Sequence, residues 1–480
     1  MVMAEPTDFQ AARAQSQRRP EQRCRASIAG TNRYKRRFGV NRWFVASLIT
    51  LAVIVLVSPG IVGRLAEKSV EENLDFVASE NDDVVITTER FDRGWFTSEG
   101  RHRIELREGG VRALFENDAD EHEGIPSLII DTHIDHGLIP VTSLSRDSGS
   151  LKPSLASAVS TITLDLGNGE LFEIPGKIYT DVGLTGETAF RFLLQAGSRK
   201  FDDKTAEWQG ADVTVHTNPA TGSVSLKGDV LPWSILDEHG SVRFGGMTIE
   251  ASQEKSPYDF GTGSIQLELG RVDIENGNSP GTGFNKLSFN ASSEIDGDRV
   301  NAASKFDILG IRALDFENID VATDLVLNGL DALSFHNIAQ ALKNSHGSAD
   351  PESAMEELYP IIAADLQKFL TTGFEIRIDR FDVTLPSGKV TTKLRFDLPA
   401  TAPTAEFSWP ALLLVLDASA DIRLPVELFN MVQEMSPEAG TLVAMGFLQK
   451  DGDFYEMRAE YAKGLLIVNG APLPIPLSGF

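Results

Sequence analysis

Three short stretches of this sequence contain residues that could do chemistry, and the first is a G-x-S-x-G motif. It runs from Gly277 to Gly281 with the letters GNSPG. In a hydrolase this motif presents its serine, here Ser279, as a nucleophile on a sharp turn between a strand and a helix. Pro280 follows the serine and another strand pattern follows the motif. We therefore predict a loop rather than a nucleophile.

The second stretch holds two histidines, His133 and His136, flanked by Asp131 and Asp135. Histidine and aspartate are common metal ligands. However, side chains alternate between the two faces of a strand, so residues three apart point to opposite sides. A shared metal ion would require a helix or a turn at this place. We predict structural histidines and no metal site.

The third stretch is the acidic run from Asn117 to Glu123, with the letters NDADEHE. It is similar to a calcium-binding loop in composition but lacks the ligand spacing and the terminal glutamate of an EF-hand. The sequence also has no phosphate-binding glycine loop followed by lysine, no C-x-x-C and no H-E-x-x-H. We predict a solvated loop, no cofactor and no catalytic residues.

The elements that must position these residues are mostly strands. Alternating apolar residues and turn residues recur along the chain, which is typical of antiparallel strands. The sequence predicts a mainly β (α+β) fold with a long, curved antiparallel meander. Its strand regions are Val84–Arg107, Leu128–Ile134, Gly176–Leu194, Ala211–Val230, Val242–Glu250, Gly263–Ile274, Phe284–Ile295 and Val300–Ala322.

Helices are predicted only late in the chain. Asp331 can cap one helix, the pair Asp350-Pro351 opens a second that ends at Gly373, and a third helical region covers 426–448. Closing hairpins accompany them, and a shift of the alternation near Asp379 predicts a bulge. We expect residues 64–330 to be β-rich and residues 331–480 to pack on the same β body.

A membrane anchor is predicted before the strands. Residues 43–63 form a run of 21 residues without a charge, which is about the length that crosses a bilayer as a helix. Five basic residues lie just before this run (Arg33, Lys35, Arg36, Arg37 and Arg42), so the positive-inside rule places the amino terminus in the cytoplasm. The alternative is a cleaved signal peptide, whose apolar core is shorter and ends at a small-residue cleavage site.

Charge divides the chain into a basic tail and an acidic body. Residues 1–42 carry a net charge of +7, whereas the whole chain carries −25, so the rest carries −32. An acidic body repels phosphate, and no nucleic-acid partner is predicted. The tail is expected to be disordered. Its Cys24 is the only cysteine, so the body can contain no disulfide; palmitoylation of Cys24 is an alternative to an unmodified thiol.

Three segments resemble the YdgA-like family of Gram-negative inner-membrane proteins that face the periplasm. They are FDRGWFTSEG (Phe91–Gly100), IDHGLIP (Ile134–Pro140) and GLLIVNGAPLPI (Gly464–Ile475). Leu138 stands where the family pattern has proline. The resemblance implies a location and a topology but no reaction. The motif positions are expected to be structural, at turns and core corners: Gly94, Trp95, Phe96, His136, Gly137, Asn469 and Gly470.

The sequence therefore predicts a non-enzymatic periplasmic protein anchored in the inner membrane by residues 43–63. Long alternating strands create one apolar face, which must be buried by helices, a partner or a lipid. We expect a scaffold or assembly module, with lipid or another envelope protein as a partner and homo-oligomers as an option. The alternative is an envelope-polymer hydrolase. An outer-membrane barrel is rejected because Pro472, Pro474 and Pro476 would remove hydrogen-bond donors from the final strand.

Overall fold

The fold is dominated by one large antiparallel sheet. A computed structural model describes residues 84–93, 97–106, 126–136, 154–165, 167, 169–183, 185–201, 204–237, 240–258, 260–276, 279–313, 316–344, 351–401, 413–436 and 438–473. The first strands are β1 (Val84–Arg93), β2 (Thr97–Leu106), β3 (Ser127–His136), β4 (Ser154–Asp165), β5 (Leu171–Gly183), β6 (Thr188–Leu194), β7 (Gly197–Phe201), β8 (Lys204–Trp208) and β9 (Ala211–Asn218).

The remaining elements continue the sheet and add helices to it. They are β10 (Ser223–Val230), β11 (Trp233–Leu236), β12 (Gly240–Phe244), β13 (Met247–Lys255), β14 (Gly261–Leu269), β15 (Val272–Asn276), β16 (Ser279–Phe284), β17 (Lys286–Asp296), β18 (Arg299–Ala313), β19 (Phe316–Asp331), α1 (Ala332–Asn344), α2 (Pro351–Thr372), β20 (Phe374–Leu385), β21 (Gly388–Leu398), β22 (Asp417–Pro425), α3 (Val426–Met435), α4 (Ala439–Ala444), β23 (Gln449–Asp451), β24 (Phe454–Ala462), β25 (Leu465–Val468) and β26 (Ala471–Leu473).

The strands pair in two rows. The long row runs β1–β2–β3–β4–β5–β6–β9–β10–β13–β14–β17–β18–β19–β20–β21–β22–β24–β25–β26. A shorter row runs β7–β8–β11–β12–β15–β16 and joins the long row at β18. The predicted mainly β fold with antiparallel strands is confirmed.

A crease separates the two rows. From β6 to β15 the chain passes between the two rows after interruptions of two residues, so the last residue of one strand and the first of the next are three apart, as in Trp208–Ala211 and Val230–Trp233. The pairing register is the same on both sides of the interruption, since Ala211 pairs with Val230 and Trp208 pairs with Trp233. Hydrogen bonds also cross the crease, for example from Gly270 N to Gly246 O at 2.8 Å. The strands therefore bend together.

Glycine is required where strands approach at this crease. A Cβ atom added to Gly270 would lie 2.6 Å from the carbonyl oxygen of Gly245. Because backbone atoms on both sides are held by the ladder, we expect Gly270→Ala to lower the free energy of unfolding by about 1–3 kcal/mol. The measurement is urea unfolding of the full-length protein in nanodiscs, followed by tryptophan fluorescence.

The matched control is Gly281→Ala in the same sheet. The nearest atoms to a Cβ there lie 3.6 Å away, so the change should stay within about 0.5 kcal/mol. Equal effects of the two substitutions would show that crowding at the crease is not what requires glycine.

The helices begin and end where the sequence predicts. Ser334 N donates to Asp331 Oδ1 at 3.0 Å, so Asp331 caps α1. Helix α2 begins at Pro351, contains Pro360 and is followed by Gly373 with a φ of 72°. The third predicted helical region is divided into α3 and α4.

Other expectations differ in outcome. The bulge near Asp379 is confirmed, because the register between β20 and β21 shifts between Ile378 and Phe381. Strand β4 is absent from the predicted strands, since its small and hydroxylated residues give little contrast. The predicted anchor at 43–63 lies outside the described residues, and none of the described helices is long and apolar enough to cross a membrane.

Candidate functional site

The motif positions that the structure describes lie in different parts of the sheet. Residues 94–96 and Gly137 lie outside the described residues. His136 is the last residue of β3 and pairs with Ala156 of β4. The described motif residues thus lie at strand ends, and they do not form a common pocket with one another.

Asn469 and Gly470 form the turn between β25 and β26. Their φ angles are 50° and 81°, a backbone region that asparagine and glycine tolerate. Asn469 Oδ1 accepts a hydrogen bond from Arg458 N at 2.9 Å. Its Nδ2 donates to the carbonyl oxygens of Gly446 and Phe447, both at 3.0 Å. This side chain therefore ties the turn to the segment that follows α4.

The histidine and serine candidates have simple surroundings. His133 lies 3.7 Å from Glu99 and 3.4 Å from Asp135. Across the described part of the chain, no group of three or more histidine, cysteine or acidic residues could hold a metal ion. The predicted loop is wrong at Ser279, which is the first residue of β16 and pairs with Asn276. It lies in a strand and not on a turn that leads into a helix.

One face of the long row is apolar almost from edge to edge. Residues in cross-strand register lie on the same face. A single row of such partners crosses β6 to β25 and contains no charged residue: Phe190, Val215, Leu226, Ala251, Ile265, Ala291, Ser304, Leu325, Ile378, Leu394, Ala420, Ala459 and Val468. We call the face that contains this row the apolar face.

The opposite face is polar. The adjacent row of register partners, on β10 to β20, is Lys227, Glu250, Gln266, Asn290, Lys305, Asp324 and Arg380. Arg380 Nη2 donates to Asp307 and Asp324, both at 2.9 Å. Such a face is stable in water, so only the apolar face requires cover.

The apolar face is well buried at its amino-terminal end. There the hydrophobic core contains Ile104, Leu128, Ile162, Phe192 and Val213, each at most 4% exposed. Towards the middle of β13, β14, β17 and β18 the residues of the same face are only half-buried, as at Ala251, Ile265, Ala291 and Ser304. Burial therefore decreases along the sheet, although the apolar pattern continues.

A groove lies in this half-buried region. Its volume is about 550 Å³, within the range of about 300–1,000 Å³ common for ligand pockets. It crosses β9, β10, β13, β14, β17, β18 and β19, and none of the described residues that line it is charged. We call this the apolar groove. Its floor is formed by two rows of side chains that are small or aliphatic except for Gln253: Val215, Leu226, Ala251, Ile265, Ala291, Ser304 and Leu325, and Val224, Gln253, Gly263, Ser293, Ala302 and Leu327.

Larger side chains border the floor on both sides. On the crease side the next row of partners is Ile249, Leu267, Phe289 and Phe306. On the other side a second core cluster joins α1 and α2 to the sheet, with Val300, Leu330 and Ala332 at its centre and packed aromatic residues around them: Tyr258, Phe260, Phe335, Phe369 and Phe374. The apolar groove therefore has a floor of small residues between two bulky borders.

One titratable group is buried on the apolar face. His102 of β2 is 7% exposed, and its Nδ1 lies 3.1 Å from Thr88 Oγ1. Burial lowers the pKa of His102 below its ordinary value of 6.5, against the smaller opposing effect of Asp131. This histidine is therefore neutral at pH 7, and the face carries no positive charge there.

The sequence alone does not identify the residues that line the apolar groove. Alternation indicates which residues share a face, but Ala251, Ala291 and Ala302 lie on three different strands. Only the pairing register brings them together. The sequence does contain a signal for the groove. Small residues replace large ones at positions that pair across successive strands, whereas a residue two positions away along the same strand is bulky.

The comparisons with known proteins give a family and no closer relative. A family model described as "Bacterial protein of unknown function (DUF945)" matches residues 43–476. No curated protein and no solved structure matches the chain. Because the family match covers most of the sequence, including the uncharged run at 43–63, this chain belongs to that bacterial family of unknown function.

Proposed function

We propose that this protein binds the hydrocarbon part of lipids on its apolar face while residues 43–63 anchor it in the inner membrane. The observation that carries the proposal is the half-buried apolar groove in an otherwise continuous apolar face. Exposed apolar surface of this extent is unfavourable in water and is characteristic of a binding surface. A lipid supplies the missing cover without any polar partner.

The proposed localisation rests on the sequence and supports the same function. The amino-terminal tail is proposed to be cytoplasmic and the β-rich body periplasmic. The family match begins at residue 43, the first residue of the uncharged run, so this run belongs to the pattern that the family shares. Membership of the YdgA-like group is proposed on the three motif segments. An anchored body lies next to a source of lipid.

A scaffold role is the second candidate, because the same apolar face could be covered by another envelope protein or a second copy of the chain. The two roles differ in what fills the apolar groove. A hydrolase of envelope polymers is less well supported, since no described residue that lines the groove is a carboxylate.

Photocrosslinking in membranes tests the proposal. Full-length protein is incubated in vesicles that contain a phosphatidylethanolamine with a diazirine in one acyl chain, irradiated and digested. We expect lipid adducts on peptides from β13 to β19 in addition to adducts on residues 43–63. Adducts confined to residues 43–63 would overturn lipid binding by the body, and crosslinks from the body to another protein would then favour the scaffold role.

A further inference from the structure

We infer that the apolar groove holds one unbranched hydrocarbon chain, which lies across the strands with its methyl end at β9 and its polar end towards β20. The inference rests on the proposed function and narrows it to a ligand class and an orientation. The size of the groove, the composition of its floor and the difference between its two ends support it.

The dimensions of the apolar groove fit one chain. Seven strands line it, and neighbouring strands lie about 4.8 Å apart, so the groove is about 29 Å long. A volume of about 550 Å³ spread over that length makes the groove long and narrow. This shape suits one extended hydrocarbon chain better than a compact ligand.

The backbone pairing of the floor favours a hydrocarbon chain over an extended peptide. A bound peptide strand carries an N–H and a C=O at each residue, and both need partners when they are buried. The backbone groups of the floor are already paired in the sheet, for example between β14 and β17 and between β17 and β18. A hydrocarbon chain needs no hydrogen bond and gains from burial alone.

The two ends of the apolar groove differ in exposure. At β9 it ends against Phe190 and Val215, which are 6% and 2% exposed and pack together with Leu226. Beyond β19 the apolar face continues to Phe381 and Leu394, which are 40% and 39% exposed. A polar head group retains its water only at the exposed end. The methyl end therefore belongs at β9.

Small residues at the centre of the floor leave the space that a bound hydrocarbon chain needs. Ala291 lies between Ile265 and Ser304 in the cross-strand row. A phenylalanine at this position would fill the groove at its middle. Asn290, one position from Ala291, lies in the row of the opposite, polar face and is exposed, so the same substitution there leaves the groove open.

The experiment uses full-length protein in nanodiscs and two palmitate probes, one with a diazirine near the methyl end and one with a diazirine near the carboxylate. Adducts are located by peptide mass spectrometry in the unsubstituted protein, in Ala291→Phe and in the control Asn290→Phe. Ser304→Phe repeats the block on the neighbouring strand. Urea unfolding midpoints confirm that each variant is folded.

We expect the methyl-end probe to label β9 and β10 and the carboxylate-end probe to label β19 and β20. Labelling should fall at least tenfold in Ala291→Phe and Ser304→Phe and stay unchanged in Asn290→Phe. Full labelling of the body in folded Ala291→Phe and Ser304→Phe would overturn the inference but leave lipid binding intact. An exchange of the two labelling positions would overturn the orientation. Failure of both probes to label the unsubstituted body would contradict lipid binding itself.

Discussion

Replacing Phe192 by alanine is expected to lower the free energy of unfolding by about 3–5 kcal/mol, the usual cost of removing a buried aromatic side chain. Phe192 is 4% exposed and lies in the core cluster with Ile162 and Val213. Its loss leaves a cavity that its β-sheet neighbours cannot fill, because their backbones are fixed by ladders on both sides. The measurement is urea unfolding of the full-length protein in nanodiscs.

Phe289→Ala is the matched comparison. Phe289 occupies the corresponding row of the apolar face, at the border of the apolar groove, and is only half-buried. We expect its substitution to cost less than half as much as Phe192→Ala, since less surface is removed from water at this place. Equal costs would mean that the face at β17 is as densely covered as the core, which would contradict an open groove.

Replacing Arg299 by methionine is expected to lower the free energy of unfolding by about 2–4 kcal/mol, because several charge-assisted hydrogen bonds are lost together. Arg299 Nη1 donates to the carbonyl oxygens of Gly329 at 2.6 Å and Gly373 at 2.9 Å. Its Nη2 donates to Thr372 O at 2.7 Å. Thr372 is the last residue of α2, and a positive charge at this end of a helix also interacts favourably with the helix dipole.

The control for this prediction is Lys305→Met, which removes a positive charge from an exposed position on the same strand. We expect a change within about 0.5 kcal/mol. Urea unfolding of both variants, with the amplitude of far-ultraviolet circular dichroism as a second signal, separates the effects. Similar midpoints for the two variants would show that water replaces Arg299 at the three carbonyl groups.

Much of the local structure could be predicted from the sequence. Asp331 and Gly373 are strong end signals for helices, and the shift of alternation near Asp379 identifies a bulge because each strand residue must choose one face. The apolar face itself follows from alternation. These features depend on residues that are close together in the chain, so the local sequence pattern is enough to predict them.

The crease and the apolar groove depend on which strands are neighbours. A three-residue step such as Trp208 to Ala211 looks like an isolated irregularity in one strand. It is recognised as a crease only because Val230 and Trp233, which pair with Ala211 and Trp208, have the same three-residue spacing. In the same way, Ala251 and Ala291 are separated by a full hairpin in the chain and share a floor through Ile265. Long-range register is not contained in local patterns.

The constant register at the crease also restricts how such a chain can change its length during evolution. A single residue inserted into one long strand would move the bend of that strand out of line with its neighbours, and it would turn every side chain beyond it to the wrong face. Adding or removing a complete hairpin preserves both the alignment and the face. We therefore expect related chains to differ within this region by whole hairpins or at their turns, and to keep the distance from turn to crease fixed.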